Sequence, residues 1–152
     1  MLITFGKHKG TSIPSVVLKE PDYVRWVLGQ HNAEGALAKV EAEMKELVAS
    51  FDAKPIARGC AGHICKANAT CFSTYFGSPS SLHFWCDSCD PYQSGANKGK
   101  LSKCKTYQEA LAHIEFSCKG TRTGYKAIIR ELALAKGLTQ RSGEAQIAAF
   151  FA

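Results

Sequence analysis

No stretch of this 152-residue chain approaches the run of roughly 20 apolar residues that a membrane-spanning helix needs, so no membrane role is expected. The opening Met1-Leu2-Ile3-Thr4-Phe5 gives way at once to Gly6-Lys7, without the apolar core of a secretory leader, and a cytoplasmic location is expected. Clustered aspartates of the kind that metal-dependent phosphoryl transfer requires are also missing: Asp87 and Asp90 form the one close pair of aspartates. A His-x-x-x-His pair is absent as well, which argues against a catalytic zinc. An even cysteine count is lacking too, because there are seven. In a reduced compartment an odd set argues against a disulfide framework and for metal binding.

What is present is a chain with 45% hydrophobic residues, long enough for one modest core with a metal-stapled module attached and too short for two large domains. The formal charge of +6 is uneven: residues 1–30 carry +2, 31–50 carry −2, 51–104 carry +3, 105–121 carry zero and 122–152 carry +3. A basic balance suits a polyanionic partner such as nucleic acid.

The cysteines are organised. Cys60-Ala-Gly-His-Ile-Cys65 and Cys86-Asp-Ser-Cys89 form two tight knuckles separated by a hairpin pattern: strand-formers over 70–76, turn residues Gly77 to Ser81, then Leu82-His-Phe-Trp85. Knuckle, hairpin, knuckle is the order of a zinc ribbon. Zinc takes a tetrahedron of thiolates at about 2.3 Å, and a two-residue gap lets one turn present two of them. The expected ligands of a structural zinc are therefore Cys60, Cys65, Cys86 and Cys89. His63, Cys71 and Cys104 are alternates, and Cys118 is expected in the core. A redox dithiol at Cys86 and Cys89 would want a thioredoxin-like βαβ context, which the flanking sequence does not offer.

Around this module the pattern predicts an α+β fold in three segments. Residues 1–51 form a short strand at Leu2 to Phe5, a glycine-lysine turn and helices; 52–104 are a linker, Asp52 to Arg58, followed by the ribbon-like module; 105–152 are C-terminal helices packed on the rest. Asn32 is the expected cap of a helix over 33–51, whose Leu37, Val40, Met44, Leu47 and Phe51 make one apolar stripe. That stripe serves either as a face docked on the core or as a short coiled-coil seam. Thr106-Tyr-Gln-Glu109 matches a capping box ahead of a helix carrying Leu111, Ile114 and Cys118. A helix over 124–136, stopped by Gly137, turns Ile128, Ile129, Leu132 and Ala135 inward, and Ser142 is the expected cap of a last short helix.

Two basic features stand out. Arg122, Lys126 and Arg130 recur every four residues, one ridge on a helix. The segment from Leu132 to Gln140 is similar to the middle of a helix-turn-helix, but Ser142-Gly143 falls where a recognition helix should carry a buried branched residue. In the glycine-flanked loop Phe5-Gly6-Lys7-His8-Lys9-Gly10, backbone amides and two lysines are presented together, an arrangement suited to phosphate. Tyr23 and Trp26, three apart on the helix that follows, are expected to form the small core that holds the loop.

That loop, with Tyr23-x-x-Trp26, resembles the Phe-Gly-Lys-Tyr-Lys-Gly … Tyr-x-x-Trp pattern of the small C-terminal domain of exodeoxyribonuclease X-like proteins. Related small bacterial proteins, labelled quorum-sensing-regulated virulence factors, share it. Phe5, Gly6, Lys7, Lys9, Gly10, Tyr23 and Trp26 match, and His8 stands where the family has tyrosine. The resemblance covers about the first thirty residues. It implies an accessory element that contacts nucleic acid, without catalysis, because the nuclease acids lie in a different domain.

Together these features point to a non-enzymatic, zinc-containing nucleic-acid-binding or DNA-processing accessory protein. Its expected phosphate contacts are Lys7, His8, Lys9, Lys98, Lys100, Lys103, Arg122, Lys126 and Arg130, with single-stranded and double-stranded DNA both open. The alternative is an adaptor or inhibitor of phage or mobile-element type, in which the zinc module presents a rigid surface to a partner protein.

Overall fold

The computed structural model describes residues 1–90 and 101–152. Among them are helices α1 (Ile13–Lys19), α2 (Pro21–Leu28) and α3 (Gly35–Ala53), strands β1 (Cys71–Tyr75), β2 (His83–Trp85) and β3 (Leu101–Cys104), and helices α4 (Tyr107–Ser117), α5 (Arg122–Ala135) and α6 (Glu144–Phe151). The fold is α+β. The three strands form one antiparallel sheet in the order β2-β1-β3.

The segment from Leu2 to Phe5 makes no regular strand. A single bridge joins Leu2 to Ser12, while Gly10 N–H donates to the Ile3 carbonyl at 2.8 Å and Ile3 N–H to Thr11 at 2.9 Å. Gly6 and Gly10 close this loop at φ +68° and +85°, angles that side chains disfavour. Ser12 caps α1 by accepting from Ser15 N–H, and Pro21 opens α2, its missing amide costing nothing at that position.

Helix α3 begins two residues later than its pattern suggests, with Glu34 rather than Asn32 preceding it, because Gly35 enters at φ +57°. Its stripe docks on the core: Val40, Met44, Val48 and Phe51 are buried, which is the single-face arrangement and not a free seam. Thr106 caps α4 by accepting from Glu109 N–H, but Glu109 returns to the Thr106 hydroxyl and not its amide, so the box is half closed. Asp52 completes this helix start by accepting from Tyr107 N–H at 2.7 Å. Gly143, not Ser142, occupies the cap position of α6.

One hydrophobic cluster draws on all six helices and on the sheet. Ile13, Val16, Val17, Val24 and Val27 from α1 and α2 meet Met44 and Phe51 of α3, Phe72 of β1, Tyr107 and Ile114 of α4, Ile128, Ile129 and Leu132 of α5, and Ile147 of α6. The Tyr107 ring stands edge-on to Phe51, and its hydroxyl donates to the Val17 carbonyl at 2.7 Å, so the one polar atom of a wholly buried ring is satisfied.

The expected linker over 52–58 is anchored at both ends. Ile56 is buried, and Ala57 N–H donates to the Ala135 carbonyl at 2.7 Å. Lys136, just past α5, sends its Nζ to the carbonyls of Phe51, Asp52 and Lys54 at 3.0, 3.3 and 2.8 Å. All three ammonium hydrogens thus meet the exposed acceptors at the end of α3, where the helix dipole also favours a cation. Burial lowers the Lys136 pKa, against a smaller opposing pull from Asp52. Replacing Lys136 with methionine, which keeps the stem and deletes the donors, is expected to cost about 1–3 kcal/mol of stability in urea unfolding.

Candidate metal centre

Hydrogen bonding across the sheet end brings the two knuckles together. Ala61 N–H donates to the Phe84 carbonyl at 2.8 Å, Thr70 N–H to Trp85 at 2.9 Å, and Cys60 N–H to Ala67 at 2.9 Å. The strand that leads into Cys86 thereby holds the loop that starts at Cys60. A second tie runs from Thr70 Oγ1 to Asp87 Oδ1 at 2.9 Å, and Lys105 approaches the same carboxylate at 3.5 Å.

The four sulfurs of Cys60, Cys65, Cys86 and Cys89 lie within 4.8 Å of one another, and Cys65 and Cys86 are 3.9 Å apart. A tetrahedron of sulfurs about 2.3 Å from a central ion has edges of about 3.8 Å, so the spacing suits one metal ion. Backbone amides already point at the cluster: Cys86 N–H and Gly62 N–H donate to Cys60 Sγ at 3.2 and 3.3 Å. Led by the Cys86 amide, these donors lower the Cys60 pKa to about 7, whereas hydrogen bonds among the thiols, first from Cys65, push Cys89 up to about 12. A cation among the four replaces that shared protonation with thiolate bonds.

The first knuckle is shaped by two residues that spacing alone does not reveal. A Cβ on Gly62 would sit 2.6 Å from Cys89 Sγ and 2.9 Å from its Cβ, so only glycine fits there. Ile64 lies at φ +61° with its side chain 83% exposed, a left-handed conformation that costs a β-branched residue about 1–2 kcal/mol. The strain is held in place by the turn that puts Cys65 in the cluster, where Cys65 N–H donates to the Gly62 carbonyl at 3.1 Å.

The alternates stand outside the cluster. His63 is exposed. Cys71 is buried on β1 with its thiol toward the Trp85 carbonyl, and Cys104 on β3 donates to the Glu109 carbonyl; burial pushes Cys71 up and Cys104 to about 12. Both behave as apolar side chains of the sheet. Cys118 caps the end of α4, where it is half-buried and packs against the core cluster. Its sulfur lies 3.5 Å from Nε2 of the buried His113, a contact that has the look of a nucleophile and base. That same Nε2 faces the Ser78 carbonyl at 2.8 Å, and a carbonyl only accepts. Nε2 therefore carries the proton and Nδ1 accepts from the Ser102 hydroxyl at 2.8 Å, leaving no base for the thiol.

The basic residues divide into engaged and free. His8 is buried, its ring 4.6 Å from that of Tyr23, so it packs and is not presented to a ligand. Lys7 and Lys9 on either side of it are exposed and form no ion pair among the described residues. Lys103 pairs with Asp90. Arg122 and Lys126 converge on Glu20 at 2.7 and 3.3 Å, and Arg130 donates to the Gln140 carbonyl at 3.1 Å. The ridge on α5 is thus held to α1 and α2 by its own charges. Burial pushes the Glu20 carboxyl up, but the hydrogen bonds from Arg122 and Lys126 together hold it below the usual range. Lys98 and Lys100 lie outside the described residues. Trp26, expected in a small core, is 49% exposed and stacks at 5.6 Å on Tyr23.

No family model, curated protein or solved structure matches this chain. Among the described residues, no helix is long and apolar enough to cross a membrane. The class defined by fold and site is an α+β protein with a four-cysteine cluster that can hold a metal ion.

Two outcomes follow. Cobalt(II) titration should show one tetrathiolate centre per chain; Cys86→Ser should abolish its charge-transfer band, and Gly62→Ala should weaken competitive metal affinity at least about tenfold. Because the Glu20 pKa is depressed on folding, the stability it contributes is full above its ordinary 4.5 and is lost as pH falls through the lower folded value. Denaturation midpoints of the native chain and Glu20→Gln should therefore differ at neutral pH and converge in acid.

Proposed function

We propose that this chain is a zinc-stapled, non-enzymatic accessory protein that binds nucleic acid through its glycine-lysine turn. Four sulfur donors at tetrahedral spacing favour zinc among the metals of a reducing compartment, and a closed thiolate set suits a structural ion with no open position for substrate.

The observation that carries the nucleic-acid reading is the turn itself. Lys7 and Lys9 flank a histidine whose ring is anchored on Tyr23, so the two ammonium groups are presented by a braced loop and are not neutralised within the described residues. A preformed pair of cations loses little on meeting phosphate. Four thiolates and one zinc ion would carry a formal charge of about −2, which turns a polyanion away from the knuckles and toward this loop. The resemblance of the same residues to the exodeoxyribonuclease X-like element supports the reading. The ridge of Arg122, Lys126 and Arg130 is assigned a secondary role, because Glu20 shares the charge of two of its members.

The test is fluorescence anisotropy of labelled single-stranded DNA, duplex DNA and RNA against the zinc-loaded protein over a salt series. Log affinity should fall with log salt by about 0.7 per phosphate contacted on a single strand and about 0.9 on a duplex. Lys7→Ala with Lys9→Ala should weaken binding and reduce the slope by about 1–2 such contacts. Absence of binding at low salt would rule the reading out and leave the adaptor.

A further inference from the structure

Resting on that reading, we infer that the ligand is a single strand, and that its bases stack along an aromatic track running from Trp26, over the groove between α2 and α4, to Phe116 and the hairpin tip at Phe76.

Four aromatic side chains in this region are left uncovered. Trp26 is 49% exposed, Phe116 81%, Phe76 52% and Tyr75 44%. Hydrogen bonds tie together the elements that bear them. Arg25, next to Trp26, reaches across to the Glu115 carboxylate, its Nε at 3.2 Å, and Glu115 precedes Phe116. Gly77, next to Phe76, donates its N–H to the Ser117 carbonyl at 2.7 Å, which docks the hairpin tip on the end of α4.

Between the two helices lies a groove of about 250 Å³ lined by Arg25, Leu28, Gly29, Gln108, Ala112 and Glu115, among others. Phe116 stands four residues after Ala112 and eight after Gln108, about 40° and 80° around the helix from them, so it stands on the flank of α4 next to the face that lines the groove. Trp26, three residues before Gly29, stands on the flank of α2. Neither ring lines the opening itself, which is of partly apolar character; the Gln108 amide on its wall makes no hydrogen bond within the described residues and is available to a base edge.

Charge decides the occupant. Lys7 and Lys9 sit at the Trp26 end through the contacts His8 to Tyr23 and Tyr23 to Trp26. Lys119, three residues past Phe116, is exposed and unpaired among the described residues. Glu115, the acidic side chain of the groove wall, is already taken by Arg25. Cations without partners at both ends and flat apolar surfaces between them match a chain of phosphates with unstacked bases, the chemistry of a single strand. A duplex keeps its bases stacked on one another and could offer these rings no faces.

The experiment measures the zinc-loaded full chain against an oligothymidylate and against a duplex of equal length, with Phe116→Ala, Phe76→Ala and Trp26→Ala as variants and circular dichroism as the check on folding. Since these side chains are exposed, the fold should survive each change. Tighter binding of the single strand, weakened at least about fivefold by each substitution while duplex binding is unchanged, is the expected result. Equal binding of both nucleic acids, insensitive to all three substitutions but weakened by the Lys7 and Lys9 changes, would overturn the track and leave the glycine-lysine reading standing. No binding to any nucleic acid would overturn both, and the aromatic surface would then belong to a protein partner.

Discussion

From Ala57 to Thr70 the chain buries only Cys60 and Ala69. A loop with so little apolar area cannot offset its own ordering entropy, which runs to about 1–2 kcal/mol per residue, so its shape depends on what joins its sulfurs. The cysteine cluster is therefore the constraint behind the left-handed Ile64, the obligatory Gly62 and the hydrogen bond from Ala61 to Phe84. Each makes sense only in a loop whose two ends meet at one point. Helices elsewhere in the chain need no such closure, because Val16, Val24, Phe51, Ile128 and their neighbours supply a conventional core.

Much of this arrangement can be read from residue order, for identifiable reasons. Two short cysteine spacings flanking a strand-turn-strand pattern leave few other geometries, and the four ligands are those that gather. Helical stripes were equally legible: Ile128, Ile129 and Leu132 repeat at helical spacing and are buried. The third strand was not, because Leu-Ser-Lys-Cys is too short for alternation to show and pairs with β1 across an intervening hairpin. The burial of His8 cannot be read locally, since the ring it packs against belongs to Tyr23, fifteen positions away. Trp26 could have been placed correctly: Val24 and Val27 define the inner face of α2, and a residue two past Val24 is turned about 200° from it.

Several polar groups within the core are matched to backbone carbonyls of distant elements. Lys136 meets three carbonyls at the end of α3, Tyr107 meets Val17, and His113 bridges Ser78 and Ser102. These contacts link elements distant in the chain and satisfy groups that burial would otherwise leave costly. Cys71 and Cys104 of the sheet likewise turn their thiols to backbone carbonyls, of Trp85 and Glu109.

Order of synthesis gives the packing of α1 a further meaning. Its neighbours include α5 and α6, and Ser12 bonds to Glu144 across 132 positions while Glu20 bonds to Arg122 across 102. The sheet, by contrast, closes entirely within Cys71 to Cys104. On the ribosome the sheet can close as soon as Cys104 emerges, whereas the parts of α1 and α2 that pack on α5 wait uncovered until that helix has been made, with α3 meanwhile covering other parts of them. The four-cysteine module thus becomes an early fixed point around which the two ends of the chain are later brought together.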